Sequence, residues 1–202
     1  VRIAINQPYF VPARSWFRLI EQTDLFVVLD CVQHIRRGWV HRNRLRDING
    51  ALQWLTLPIA PAPQKTPIHR MSFAADAAGR MEDQLSRFPA IKRLPEDLRA
   101  ELARVGGSLS TYLVGLIESC CDHLGIKFRC VYSSALNLPD ELRGQDRILA
   151  ICERLDATEY LNSPGGRALY QPEEFSKRGV KLEFLPDWQG SYDSVLEQIG
   201  AA

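Results

Sequence analysis

The stretch from Asp30 to Arg44, DCVQHIRRGWVHRNR, sets one carboxylate ahead of two histidines and four arginines. Arg36, Arg37, Arg42 and Arg44 carry guanidinium forks that fit phosphate or carboxylate oxygens. His34 and His41 exchange protons near neutral pH. Together they point to acid–base chemistry on an anionic substrate, with Asp30, His34 and His41 as the candidate catalytic groups. His34 follows Asp30 by four positions, so a turn would bring the carboxylate to the imidazole and favour the charged ring. His41 would need the loop to fold back. The plain alternative is a solvated basic loop with Trp39 tucked into the core. Gln33, Asn43 and Trp39 interleave with the charges, which favours a binding role.

Two further loops could complete such a site. In Asn6-Gln7-Pro8-Tyr9-Phe10-Val11-Pro12, Gln7 offers donors and acceptors, and Tyr9 and Phe10 offer ring faces. In Tyr160-Leu161-Asn162-Ser163-Pro164-Gly165-Gly166-Arg167-Ala168-Leu169-Tyr170, Gly165 and Gly166 let backbone N–H groups approach an anion, and Arg167 adds charge. Neither stretch matches the dinucleotide fingerprint or the P-loop, and no HExxH, GxSxG or zinc spacing is present. No motif names a cofactor or a metal. The expected ligand-binding set is Gln7, Tyr9, Gln33, Arg42, Asn43, Arg44, Gly165, Gly166 and Arg167. Gln7, Asp30, Gln33, Arg42 and Arg44 are expected in one cleft. Lys65 and His69 follow a Pro-rich loop and are expected to cover that cleft. Cys31, beside Asp30 and near basic residues that could lower its pKa, is a nucleophile candidate.

The elements that must position these groups alternate. Residues 2–5 read as a strand, 13–22 as a helix and 25–29 (LFVVL) as a strand buried on both faces, which makes a βαβ unit. Strands are expected at 53–57, 68–73, 128–132, 159–161 and 180–184, and helices at 81–87, 109–124, 145–155 and 172–177. Ser108 is placed to cap the helix from Leu109, and Gly125 to end it. The fold class expected is α/β, with a mostly parallel sheet, flanking helices and room for a small helical C-terminal appendage. Loops leaving adjacent parallel strands emerge on one edge, the edge where such sheets bind ligands.

Bulk composition narrows the function classes. With 202 residues the chain suits one domain spanning 1–202. Lys and Arg number 25 against 24 Asp and Glu, which argues against broad nucleic-acid binding. Five cysteines without CxxC spacing read as reduced thiols of a cytoplasmic protein. No apolar run is long enough for a membrane span, and Val1–Ile5 reads as a strand rather than a signal peptide. The expected partner is a small molecule bearing phosphate or carboxylate, or an acyl carrier.

Several pieces together resemble the WbqC-like family. They are Ile5-Asn6-Gln7-Pro8-Tyr9 with Pro12, Phe26-Val27-Val28-Leu29-Asp30-Cys31-Val32-Gln33-His34, Arg42-Asn43-Arg44-Leu45 and Trp54-Leu55-Thr56-Leu57-Pro58. Ser133-Ser134 and the Tyr160–Gly166 stretch are weaker echoes. The resemblance implies a bacterial protein of O-antigen or other surface-polysaccharide pathways, and it singles out Gln7, Pro8, Tyr9, Asp30, Gln33, Arg42, Asn43 and Arg44. This chain departs from the family pattern in three places: Asn6 stands where a histidine is usual, Cys31 where a second acid is usual, and His34 where an aromatic is usual. Three functions follow as expectations. The first is a transferase acting on a nucleotide-linked sugar or an activated acyl donor. The others are a nucleotidyl-transferring or adenylate-forming enzyme, and a noncatalytic binding or assembly subunit.

Overall fold

The structure, a computed structural model, describes residues 1–201. Its centre is a parallel sheet of β1 (Arg2–Asn6), β2 (Leu25–Val28), β5 (Cys130–Tyr132), β6 (Glu159–Asn162) and β7 (Lys181–Phe184), in the order β5-β2-β1-β6-β7. The chain steps outward from β1 through β2 to β5, then returns to the other side of β1 for β6 and β7. The strand order therefore reverses between β1 and β6, the place where open α/β sheets leave a crevice at their carboxyl ends.

Both faces of the sheet are covered, which explains why β1 and β2 read as near-continuous apolar runs. On one face Ala4, Phe26 and Val28 pack with Phe17 of α1 (Arg14–Glu21) and Leu113 and Ile117 of α5 (Leu109–Leu124). On the other, Ile3, Ile5 and Val27 meet Ile148 and Ile151 of α6 (Gly144–Arg154) and Phe175 of α7 (Pro172–Ser176). Cys120, Cys121 and Cys152 belong to these cores, and burial pushes the Cys121 and Cys152 thiols up to about 12. Gly125 ends α5 at φ 67, and Ile126 N–H closes the turn on the Cys121 carbonyl at 2.9 Å. Ser108 takes the cap position of α5 without a side-chain capping bond.

Two segments beside the loop after β2 differ from the sequence reading, and helices the sequence reading did not expect form at Pro89–Arg93 and Glu96–Ala103. Residues 68–73 form a 3-10 turn, Ile68–Arg70, and not a strand. The donors of Ile68 and His69 go to the carbonyls of Val32 and Asp30, at 2.9 and 3.0 Å, which ties this segment to the loop after β2. The arginine-rich stretch that read as a loop is β3 (Arg42–Arg46), paired antiparallel with β4 (Leu52–Thr56) through a turn at Asp47–Gly50. Its alternation Arg-Asn-Arg-Leu-Arg turns Asn43 and Leu45 inward and Arg42, Arg44 and Arg46 outward, as period 2 requires. The remaining helices are α2 (Ala77–Leu85), α3 (Pro89–Arg93), α4 (Glu96–Ala103) and α8 (Val195–Ile199); α8 packs against α3, α5 and β3.

The hairpin is fastened to the loop after β1 by buried polar bonds. Asn43 Nδ2 donates to the carbonyls of Phe10 and Val11 at 3.2 and 2.8 Å, and Phe10 N–H donates to the Trp39 carbonyl at 2.9 Å. Val11 sits at φ 39, a conformation that a β-branched residue adopts only under constraint. Its carbonyl also accepts from Ser194 Oγ at 2.7 Å. Asn43→Ala leaves buried carbonyls short of a donor beside this strained residue. It is expected to destabilise the fold by about 1–3 kcal/mol in urea unfolding, with no loss expected from the exposed Ile48→Ala.

Candidate functional site

Asp30 leaves the carboxyl end of β2 and is 1% exposed. Oδ1 accepts from Ser133 Oγ (3.1 Å) and Ser134 N–H (2.9 Å), and Oδ2 from Ser134 Oγ (2.9 Å) and Ser110 Oγ (3.1 Å). A buried carboxylate needs such donors, because desolvation without them is costly. The hydrogen bonds of its carboxylate thus go to α5 and to the segment after β5, and not to His34 or His41. Ser110 and Ser133 were not among the expected site residues; the only sequence signal was the family echo at Ser133-Ser134. Cys31 is half-buried and accepts from Arg147 Nη1 at 3.1 Å, while the other Arg147 donors hold the carbonyls of Pro139, Asp140 and Leu142.

The two histidines find each other. His34 Nε2 and His41 Nδ1 share a hydrogen bond of 3.1 Å, with ring centroids 4.9 Å apart. Both rings are buried. Burial and the charge of Arg36 lower the His34 pKa, and burial, His34 and Arg42 bring His41 down to about 4. Expected to be raised by Asp30, the imidazoles are instead held neutral. His34 forms part of the wall of a cavity of about 430 Å³ lined also by Gln33, Ile35, Arg36 and Gln64. The Pro-rich strap supplies Gln64 and is locked in place by His34 N–H on the Thr66 carbonyl (2.9 Å) and by the bridge from Gln33 to Pro67. His69, expected over the site, turns Nδ1 to the Asp30 carbonyl at 3.1 Å. A smaller cavity of about 320 Å³ lies at the amino ends of β2 and β5, among Asp24, Lys127 and Arg129, away from these groups.

Arg42 and Arg44 occupy the outer face of the hairpin. Arg42 stacks on Trp54 at 3.9 Å from ring centroid and donates to the Arg37 carbonyl; Arg44 lies 5.5 Å from the same ring. Trp39 is 45% exposed, not tucked into the core. Asn43 points the opposite way, and its amide is spent on Phe10, Val11 and its own neighbour Arg44.

The remaining expected residues lie in the loops that follow β1 and β6. Gln7 is half-buried, with its N–H on Asn6 Oδ1 at 2.8 Å. Tyr9 packs near Trp16, and burial raises its hydroxyl pKa. Gly165 is exposed, and Gly166 is buried in the turn Pro164–Leu169. A Cβ on Gly166 would come within 2.3 Å of Asn162 Nδ2, so the close approach of that side chain requires glycine. Arg167 faces the loop after β7, with Asp187 at 3.6 Å and the Phe184 ring at 5.7 Å.

Residues 7–197 match the sequence profile of the WbqC-like protein family. The chain belongs to that family. The chain is also similar to an uncharacterized protein, Rv1507c, of Mycobacterium tuberculosis (strain ATCC 25618 / H37Rv). It is 27% identical over 199 residues, covering 95% of this chain and 84% of that protein. No solved structure matches the chain significantly. Of the three residues read from the sequence as departures from the family pattern, Asn6 bonds the loop backbone, Cys31 meets Arg147, and His34 pairs with His41.

Two measurements probe this site. Asp30→Ala strands three hydroxyls and an amide, and should lower unfolding free energy by about 3 kcal/mol or more. The histidine pair sets a pH dependence. The folded His41 pKa lies below its ordinary value, so between pH 6.5 and about 4 the unfolded chain binds more protons. The stability present above pH 6.5 is therefore lost as pH falls toward 4. His41→Gln should flatten that slope, a change on the order of 3 kcal/mol at pH 4. An unchanged slope in the variant would exclude His41 as its source.

Proposed function

We propose that this WbqC-like protein is a transferase of bacterial surface-polysaccharide metabolism. In this reading it acts on a nucleotide-linked sugar or an activated acyl donor, with His34 as the proton carrier. The observation that carries the reading is the His34–His41 hydrogen bond at the wall of a cavity that also holds Arg36 and Gln33. With Nε2 engaged by His41, Nδ1 is the ring nitrogen of His34 left for a substrate. A neutral imidazole is ready to take a proton from an attacking hydroxyl. His41, held neutral by its own burial, orients the His34 ring through the shared hydrogen bond. Arg36 at the rim supplies a guanidinium for the phosphate or carboxylate of the donor. Asp30 serves as an anchor of the loop that carries His34 and is a positioning residue. The free thiols of all five cysteines fit a reducing, cytoplasmic setting.

Nucleotidyl transfer is the second reading, favoured by the strand order. A parallel sheet reversing direction between β1 and β6 has the crevice in which such folds hold nucleotides. Pyrophosphate exchange into nucleoside triphosphate separates it from group transfer out of a nucleotide-sugar or acyl donor.

The test is turnover against a panel of nucleotide-sugars and acyl donors with sugar acceptors. His34→Gln should lower turnover by roughly 10²-fold or more with donor binding nearly unchanged. Full turnover in both His34→Gln and His41→Gln would exclude the histidines as catalysts.

A further inference from the structure

The outer face of the β3–β4 hairpin carries a surface that the histidine chemistry does not use. Trp39 and Trp54 are 45% and 42% exposed. Their rings lie 5.8 Å apart at 45°, an open wedge of two indoles. Arg44 is directly opposite Trp54 in the hairpin register, and Arg42 covers part of the same ring. The Arg42 guanidinium reaches the Arg37 carbonyl, which brings the 36–39 segment against the wedge. Among the described residues, no ion pair involves Arg36, Arg37, Arg42 or Arg44. Arg46, on the same strand, is by contrast paired with Asp193 at 3.0 Å.

We infer that this face binds the nucleoside diphosphate part of the donor, with the base on the Trp39–Trp54 wedge and the phosphates on Arg44 and Arg37. The inference rests on the transferase reading and narrows its substrate class. Exposed indoles lose free energy to water that a stacked ring recovers, and a planar heterocycle matches an indole face. Cations left without carboxylates call for an anion, which a neutral sugar does not provide. A nucleoside diphosphate carries both features, a planar base and anionic phosphates. The surface is also joined to the sheet edge where the chemistry is placed. Arg36 of the cavity precedes Arg37, and Phe10 N–H on the Trp39 carbonyl ties the wedge to the loop leaving β1.

Indole fluorescence titrations with uridine diphosphate, adenosine diphosphate, uridine and pyrophosphate test the inference. Both diphosphates should quench. Trp39→Leu and Arg44→Ala should each weaken them roughly tenfold or more, with far-UV circular dichroism unchanged because both side chains are exposed. Pyrophosphate should lose affinity in Arg44→Ala and not in Trp39→Leu, and Arg104→Ala should change nothing. Uridine diphosphate glucose and coenzyme A both contain the recognised unit and should both bind; transfer of the sugar or of the acyl group to an acceptor, not binding, distinguishes a sugar donor from an acyl donor. Millimolar diphosphates without effect, binding equal to wild type in both variants, or retention of polyglutamate in place of nucleotides would overturn the inference. The two readings fail separately. Diphosphate binding lost in Trp39→Leu beside full turnover in both histidine variants removes only the acid–base role. Wild-type diphosphate affinity in Trp39→Leu and Arg44→Ala, beside turnover lost in His34→Gln, removes only the wedge.

Discussion

The candidate site depends on one buried carboxylate. Asp30 draws together three pieces of chain that are far apart in sequence: the end of β2, the start of α5 through Ser110, and the segment after β5 through Ser133 and Ser134. Its backbone carbonyl adds a fourth by accepting from His69. A carboxylate in a dry interior demands several donors at once, and hydroxyls satisfy it without a buried cation. The demand for donors fixes where the loop after β2 leaves the sheet, and with it the starting point of the segment that carries His34.

From that anchor the loop runs along the Pro-rich strap and delivers its two histidines to each other. The hairpin then returns to the sheet and is pinned by Asn43 against a backbone held at positive φ at Val11. The strain and the pin belong together. A β-branched residue stays in that conformation only where surrounding bonds hold it. Asn43 and Ser194 both grip the Val11 carbonyl. The loop after β1, the hairpin and the C-terminal segment consequently hold their places as a unit.

Electrostatics divides the arginine-rich stretch into two environments. On the buried side, desolvation and neighbouring guanidinium groups keep the imidazoles neutral. On the exposed side, arginines stack on tryptophan and keep their charge in water. The segment from His34 to Arg44 thus carries neutral imidazoles facing inward and guanidinium cations facing outward.

The sequence alone determined the layered α/β order, because the continuous β-branched and aromatic run at Leu25–Val28 suits a strand buried on both faces, and the apolar spacing over Leu109–Leu124 suits a covering helix. It also marked Asp30, His34, His41 and the arginines as unusual, since polar groups so placed after a buried strand are rarely idle. The partners of these groups were not legible. Asp30 lies 80 residues from Ser110 and 103 from Ser133, and no local pattern encodes a hydrogen bond at that separation. Periodicity alone also did not separate β3 from a basic loop, because its outward face is arginine and its inward face mixes Asn43 with Leu45. Residues 68–73 have the composition of a strand, yet their donors were claimed by the loop after β2. Tertiary structure decided each of these points for a single reason. Backbone and carboxylate groups must be satisfied wherever they are buried, and which groups become buried is a property of the assembled chain.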